Sequence, residues 1–280
     1  MSQQSRAVLV AAVLVCSLLA AVAPAGAQSG NGGSAQCTFP FTEADATGTN
    51  VTIEERPERI VVLGPSAAQT VWELDAQDRV IGAPIAPYTS YLQGIDGKTN
   101  VLNADNYTVN QEAVVELEAD LVLAPNIVPD DTIESLRDAD QSVFKFGFGT
   151  SLEFVAEKTE RTGQLIGSCS EAEAVNEQYW DRIEAVEEDA KDGGAPRVLY
   201  YTDGFGAGSG TFIDEIITTA GGGNVAAENG VEGYGELNEE ANVEWDPEVI
   251  VVSDSGPAVP ASDAFDPTFA VETAQVVAVD

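Results

Sequence analysis

The sequence predicts an α/β fold with two lobes of parallel β-sheet, joined by a long helix and facing each other across a ligand cleft. Short uninterrupted apolar runs alternate with helical segments towards both ends of the chain, and a stretch without strands separates them. Buried parallel strands are typically continuous apolar runs. Alternation of such strands with helices indicates sheets that are covered by helices on both faces.

The first lobe is predicted over residues 51–149. Its strands are expected at residues 59–64, 80–85, 121–124 and 143–148, and its helices at 66–74, 109–117 and 132–137. Ser66 follows a strand and a Gly-Pro pair, so we expect it to cap the first helix and to face the cleft.

A helical connector is predicted over residues 150–194. Two capping-box patterns, at residues 150–153 (TSLE) and 170–173 (SEAE), mark the starts of two helices. The second helix ends at a Gly-Gly pair, and its length corresponds to about 30 Å, roughly the diameter of a small domain.

The second lobe is predicted over residues 195–280, with strands at 196–200, 249–252 and 276–279 and a helix at 211–220. Its design repeats that of the first lobe: Glu112 stands eight residues before Asp120 and a strand, and Glu240 stands eight residues before Glu248 and a strand. We therefore expect two Rossmann-like lobes, with ligands bound where their strands end. No helix follows the last strand, which suggests a truncated lobe.

The N-terminus predicts export. Arg6, an apolar run and the small residues before Gln28 describe a signal peptide over residues 1–27, although an uncleaved anchor is the alternative. Residues 28–50 are expected to be a flexible tether and the start of the mature chain. Cleavage leaves Cys37 and Cys169, which predict a disulfide outside the cell, with two separate buried thiols as the alternative.

Composition excludes several functions. The chain has 47 acidic and 12 basic residues, a net charge of −35 and no His. Without His, a Ser-His-Asp centre and His-ligated metal are impossible, so we expect no metal site and no catalytic residues. The charge disfavours nucleic acid, and acidity along the whole chain is typical of a halophilic protein.

Candidate ligand contacts follow strands at the cleft. Tyr88 and Tyr91 lie in a Pro-rich loop and are expected to stack on a flat ligand, or else to pack on their own lobe. The glycine-rich stretch 204–211 does not fit a dinucleotide fingerprint and is expected to be a turn leading into a helix N-terminus. The predicted ligand-binding residues are Ser66, Tyr88, Tyr91, Phe205, Ser209, Thr211 and Tyr234.

Ordered motifs along residues 52–280 resemble a known family. They are P-x-R-I-V-V-L-G-P-S, N-x-E-x-V-V-x-L-x-x-D-L-V-L-A-P, G-S-G-T-F-I-x-E-I-I-x-x-A-G-G and D-P-E-V-I-V-V. The chain resembles the iron-complex/vitamin B12 class of ABC-transporter solute-binding proteins, and its acidic composition and leader are similar to surface-anchored versions from halophiles. It departs from the family at Ala119, where a Pro is usual.

The resemblance implies a function. Such proteins hold a corrinoid (vitamin B12-like) or a ferric chelate (siderophore or haem) between their lobes, need no cofactor and deliver the ligand to a permease and its ATPase. Matching the family motif, Glu112 and Glu240 would dock onto the permease. The protein would work at the extracellular face of the cytoplasmic membrane, held there by the permease or by a missing C-terminal anchor.

Two other functions remain open at this point. A ligand-sensing module of the same fold, not coupled to transport, would not need Glu112 and Glu240. An extracellular enzyme that uses carboxylates has little support, because no pair stands out among the 47 acids. The sequence does not choose among cobalamin, haem and siderophore, and we expect a chelate rather than a bare metal ion.

Overall fold

Two β-sheets, one in each half of the chain, are joined by two consecutive helices in the computed structural model. The structure describes residues 36–202, 204–237, 244–253, 268–273 and 275–279. The predicted signal peptide, residues 28–35 of the predicted tether and Glu240 lie outside these ranges. The predicted α/β class with two lobes is confirmed, while the domain boundaries stay predictions. No helix in the described ranges is long and apolar enough to cross a membrane.

A β-hairpin precedes the first lobe. Strands β1 (Phe41–Ala44) and β2 (Asn50–Ile53) pair antiparallel. The buried Asp45 organises the turn: it accepts hydrogen bonds from the amide and hydroxyl of Thr47 and from the amide of Lys145 at 2.7–3.0 Å, and it pairs with Arg137. These bonds lower the pKa of Asp45, although burial alone would raise it. The apolar patterns did not predict this hairpin.

The first lobe is built on five parallel strands in the order β5-β4-β3-β6-β7. The strands are β3 (Ile60–Val62), β4 (Val80–Ala83), β5 (Thr99–Asn100), β6 (Leu121–Ala124) and β7 (Val143–Lys145). The helices are α1 (Pro65–Glu73), α2 (Gln111–Glu116) and α3 (Asp130–Asp138), with short 3-10 turns at Gln77–Arg79, Pro87–Thr89 and Ile95–Gly97. The three central strands are almost wholly buried because two hydrophobic clusters pack on opposite faces of the sheet.

The connector consists of α4 (Leu152–Ile166) and α5 (Cys169–Asp192). The expected caps are shifted. Ser151, not Thr150, caps α4 through a 3.0 Å bond to the amide of Phe154. At the second helix Ser168, not Ser170, is the capping residue, and its side chain makes no capping bond. A disulfide joins Cys37 to Cys169 at the start of α5, which confirms the predicted bridge.

The second lobe has a mixed sheet in the order β11-β9-β8-β12-β13, with β10 also paired to β8. The strands are β8 (Arg197–Thr202), β9 (Phe205–Ala207), β10 (Gly223–Asn224), β11 (Tyr234–Glu236), β12 (Val249–Ser253) and β13 (Val276–Val279). The helices are α6 (Phe212–Thr219), α7 (Val225–Glu228) and α8 (Phe269–Glu272).

The expectation of a purely parallel second sheet was wrong. β9 runs antiparallel to β8, and β11 runs antiparallel to β9. The stretch 204–211, expected to be a turn, therefore contains a strand. Gly204 makes the reversal possible with φ of +88°, a conformation that glycine adopts without the steric cost of a side chain.

Candidate functional site

A pocket of about 570 Å³ lies where the first sheet, the connector and the start of α6 meet. This volume falls within the usual range of small-molecule sites, about 300–1,000 Å³. We call it the cleft pocket. It opens at the carboxyl ends of β6 and β7, the edge at which α/β sheets bind ligands. Its lining includes Ser66, Gln69, Glu73, Asn126, Phe146, Phe154, Lys158, Tyr179, Arg182 and Phe212.

Lys158 projects into the cleft pocket from α4. Its Nζ donates a 3.2 Å hydrogen bond to the carbonyl of Ser66 and lies 5.6 Å from the centre of the Phe146 ring. Burial lowers the pKa of this amine to about 8, because the charged form loses its hydration. No carboxylate of the described residues lies within ion-pair distance of it.

Most other basic side chains of the described residues have carboxylate or carbonyl partners. Among the described residues, six pair with carboxylates: Arg56, Arg137, Lys145, Arg161, Lys191 and Arg197. Arg59 and Arg79 each donate two bonds to backbone carbonyls, and Lys98 bonds one carbonyl beside the Trp72 ring. Arg182, exposed on α5, has no hydrogen bond or ion pair within the described chain, and it lines the same pocket as Lys158.

The N-terminus of α1 also borders the cleft pocket. Gly64, not Ser66, is its capping residue, so the expected cap at Ser66 was wrong. A side chain does not fit at the cap because a Cβ on Gly64 would lie 2.5 Å from the ring of Pro125. The first turn contains no acidic residue and receives no side-chain cap. Its positive end is therefore not neutralised by the helix itself.

Tyr91 contacts the lining of the cleft pocket, and Tyr88 precedes it in the same loop. The hydroxyl of Tyr91 donates to Oε1 of Gln69 at 3.3 Å, and Gln69 lines the cleft pocket. Tyr88 packs against Tyr107 with ring centres 6.2 Å apart. Burial raises the pKa of Tyr88 and of Tyr91, yet 47% and 59% of their surfaces stay exposed. Their stacking on a ligand stays a prediction.

Candidates from the second lobe lie on or beside β9 and β11. Phe205 and Tyr234 are exposed on these paired strands, and Ser209 follows β9 with its amide bonded to the carbonyl of Val231. Thr211 is buried; its hydroxyl donates to the carbonyl of Gly208 and accepts from the amide of Asp214, as a cap of α6. All four stay predictions as ligand contacts, since the second lobe's described contribution to the cleft pocket is Phe212.

The second lobe is held to the connector beside the pocket. Glu215 of α6 accepts a 2.6 Å hydrogen bond from the amide of Leu152, at the start of α4. The hydroxyl of Tyr179 donates to the carbonyl of the same residue at 3.1 Å. Burial, and then the charge of Glu215, raise the pKa of Tyr179. The first bond joins α6 to α4, and the second joins α5 to α4; side chains of both connector helices line the pocket.

Of the two predicted docking residues, the structure describes one. Glu112 is exposed in the first turn of α2, which Asn110 caps through the amide of Ala113. Its role in docking stays a prediction, as does that of Glu240.

Pattern analysis missed Lys158 and Arg182. The chain has only 12 basic residues, so a lysine on a predicted cleft helix was itself a signal. The aromatic residue Phe154, which also lines the pocket, was missed because it resembles an ordinary core residue. Within the described ranges no group of three or more Cys, Asp or Glu side chains is placed to hold a metal ion.

Comparison with known proteins adds four relationships. A family model described as "Periplasmic binding protein" matches residues 60–278. The chain is 41% identical over 256 residues to a "Cobalamin-binding protein" of Halobacterium salinarum, covering 87% of this chain and 69% of that protein. It also resembles the haem-binding protein RhuT of Roseiflexus sp. RS-1 in apo form, with a TM-score of 0.70, 24% identity, and 80% and 89% of the two chains covered. The molybdate-bound MolA of Haemophilus influenzae gives 0.72 at 19% identity, covering 85% and 82%.

Proposed function

Because the chain belongs to the periplasmic binding protein family, we propose that it captures a corrinoid, or failing that a ferric chelate, outside the cytoplasm and delivers it to an ABC importer. The family consists of non-enzymatic binding proteins of such importers, and this protein is one of them. The identity of its ligand and of its permease belongs to the proposal.

One observation supports a corrinoid over a ferric chelate as the ligand. Identity of 41% across 87% of the chain links this protein to one that is named for binding cobalamin. The cleft pocket is consistent with a large amphipathic ligand, because aromatic rings (Phe146, Phe154 and Tyr179) alternate there with amide, hydroxyl and basic groups. Exposed Tyr91, which bonds the lining residue Gln69, adds an aromatic ring beside the pocket.

Binding experiments test this choice. The purified exported protein is titrated calorimetrically in concentrated salt with cyanocobalamin, haem and a ferric siderophore. We expect saturable one-to-one binding of cyanocobalamin, with the other two weaker. Tighter binding of haem or of the siderophore would identify that compound, and not a corrinoid, as the ligand, and the proposed binding function would stand. Binding of none by folded protein would contradict the proposal.

Delivery to a permease needs a separate test, because a sensor of the same fold would also bind ligand. We propose that Glu112 and Glu240 contact the permease. Reversing the charge with Glu112→Arg should abolish corrinoid uptake by cells while leaving calorimetric affinity unchanged. Glu184→Arg is the matched control, since Glu184 is exposed on a different helix, α5, and should tolerate the change. Normal uptake by cells that carry the Glu112→Arg and Glu240→Arg variants would contradict the docking role, and normal uptake by cells that lack the protein would favour the sensor.

A further inference from the structure

We infer that the cleft pocket contains an anion subsite, formed by Lys158, Arg182 and the N-terminal turn of α1, which receives a carboxylate or phosphodiester group of the captured chelate. This inference rests on the proposed function, because it assumes that the cleft pocket holds the transported ligand. It adds a chemical requirement that the family match does not supply: the ligand must present a negative group at this place.

The local balance of charge in the cleft pocket favours an anion. The chain carries 47 acidic and 12 basic residues, yet the described lining of the cleft pocket has two basic side chains and one acidic one, Glu73. A surface of net charge −35 repels anions, so an anionic ligand needs a local reversal of sign. Lys158 and Arg182 supply that reversal from two different helices.

Lys158 lacks a carboxylate partner among the described residues. A charged amine withdrawn from water normally pairs with a carboxylate, because an unpaired charge costs free energy. Lys158 has only the neutral carbonyl of Ser66 and the face of Phe146. Its low pKa expresses this cost. A ligand anion would provide the missing partner and raise the pKa of the amine.

The N-terminal end of α1 is uncapped by any side chain. The helix is nine residues long, no side chain caps it, and no acid occupies its first turn. Free amides and the positive end of the helix dipole favour anions at such a terminus. Ser66, at this end of the helix, lines the same pocket as Lys158 and Arg182, so three positive features converge.

Matched ligands separate the two sources of negative charge. Cobalamin carries a phosphodiester in its nucleotide loop, and cobinamide is the same corrin ring without that loop. Haem carries two carboxylates, and its dimethyl ester carries none. We expect the wild-type protein to prefer the charged member of whichever pair it binds, by about tenfold to a hundredfold, as for loss of one charge-assisted bond.

The decisive experiment is calorimetric titration of Lys158→Met with both pairs. Methionine keeps the apolar stem and removes the charge, and the preference for cobalamin over cobinamide, or haem over its ester, should disappear. Arg182→Met should reduce the preference less, because Arg182 is exposed. The matched control is Lys191→Met: Lys191 is exposed near the end of α5 and pairs with Glu188, so the preference should be unchanged.

The outcomes separate this inference from the proposed function. If the wild type and Lys158→Met both bound the charged and the uncharged member of a pair equally tightly, the anion subsite would be overturned. The proposed binding function would remain intact. If the wild type bound none of the four probes, the proposed ligand class would fail. The subsite would then be tested by titrating inorganic phosphate into protein with ¹³C-methylated lysines. The NMR signal of the Lys158 side chain would be followed. A saturable shift confined to Lys158 supports the subsite, and an unmoved signal overturns it.

Discussion

Asp45 in the hairpin turn and Lys158 in the cleft pocket are both charged groups withdrawn from solvent, but their surroundings differ. Asp45 receives hydrogen bonds from Thr47 and Lys145 and pairs with Arg137, and its pKa is lowered. Lys158 has one bond to a neutral carbonyl, and its pKa is lowered as well, which for an amine means that the charge is disfavoured. The first arrangement stabilises the folded chain, and the second leaves an interaction for a ligand to complete.

Removing the charge of Asp45 should have the largest effect on stability. Asp45→Asn leaves Arg137 partly buried without its partner, so the free energy of unfolding should fall by about 3–5 kcal/mol. Because the folded pKa of Asp45 lies below its unfolded value, its contribution is present above about pH 4 and is lost as the pH falls further. Urea unfolding at pH 7 and at pH 3 measures both effects, with the exposed Asp96→Asn as the control.

Removing the disulfide should have the next largest effect on stability. It closes a span of 132 residues, so replacing Cys37 and Cys169 by Ser should lower the free energy of unfolding by about 2–5 kcal/mol. Chelate affinity should stay within about twofold of the wild type, because the bridge fastens the segment before the hairpin and does not line the cleft pocket. A large loss of affinity in folded protein would show that the two regions are coupled.

Lys158→Met should have a smaller effect on stability and should stabilise the ligand-free protein. Without ligand, its free energy of unfolding at pH 7 should rise by about 1–3 kcal/mol, since each unit of lowered pKa corresponds to about 1.36 kcal/mol of disfavoured charge. Thermal unfolding of the ligand-free protein at pH 7 and pH 10 tests this. The gain should shrink at pH 10, where the wild-type amine is already neutral. Destabilisation at both pH values would mean that Lys158 is structurally required.

The two lobes differ in how well their sequences predicted them. Strands β3, β4, β6 and β7 were predicted because a sheet covered on both faces requires continuous apolar runs. Strands β9 and β11 were missed because they are three residues long and contain glycine, and antiparallel strands need no continuous apolar run. The β1–β2 hairpin was missed because its strands are half exposed.

The cleft pocket was the least predictable feature. Lys158 and Arg182 are 24 residues apart on different helices, and only the packing of α4 against α5 brings both to one pocket. A helical pattern indicates which face of a helix is buried, but it does not show what that face meets. Charge compensation is also a property of neighbours in space, so an uncompensated lysine is recognised only when the surrounding side chains are placed.

The most direct test of the account is the pKa of the Lys158 amine, with and without bound chelate. The chain has four lysines, so ¹³C-methylated lysine signals can be assigned by single substitutions and followed by NMR from pH 6 to 12. The account predicts a value of about 8 in the free protein and a higher value once the tightest-binding chelate is added. An ordinary lysine value in the free protein, or one that the ligand leaves unchanged, would contradict it.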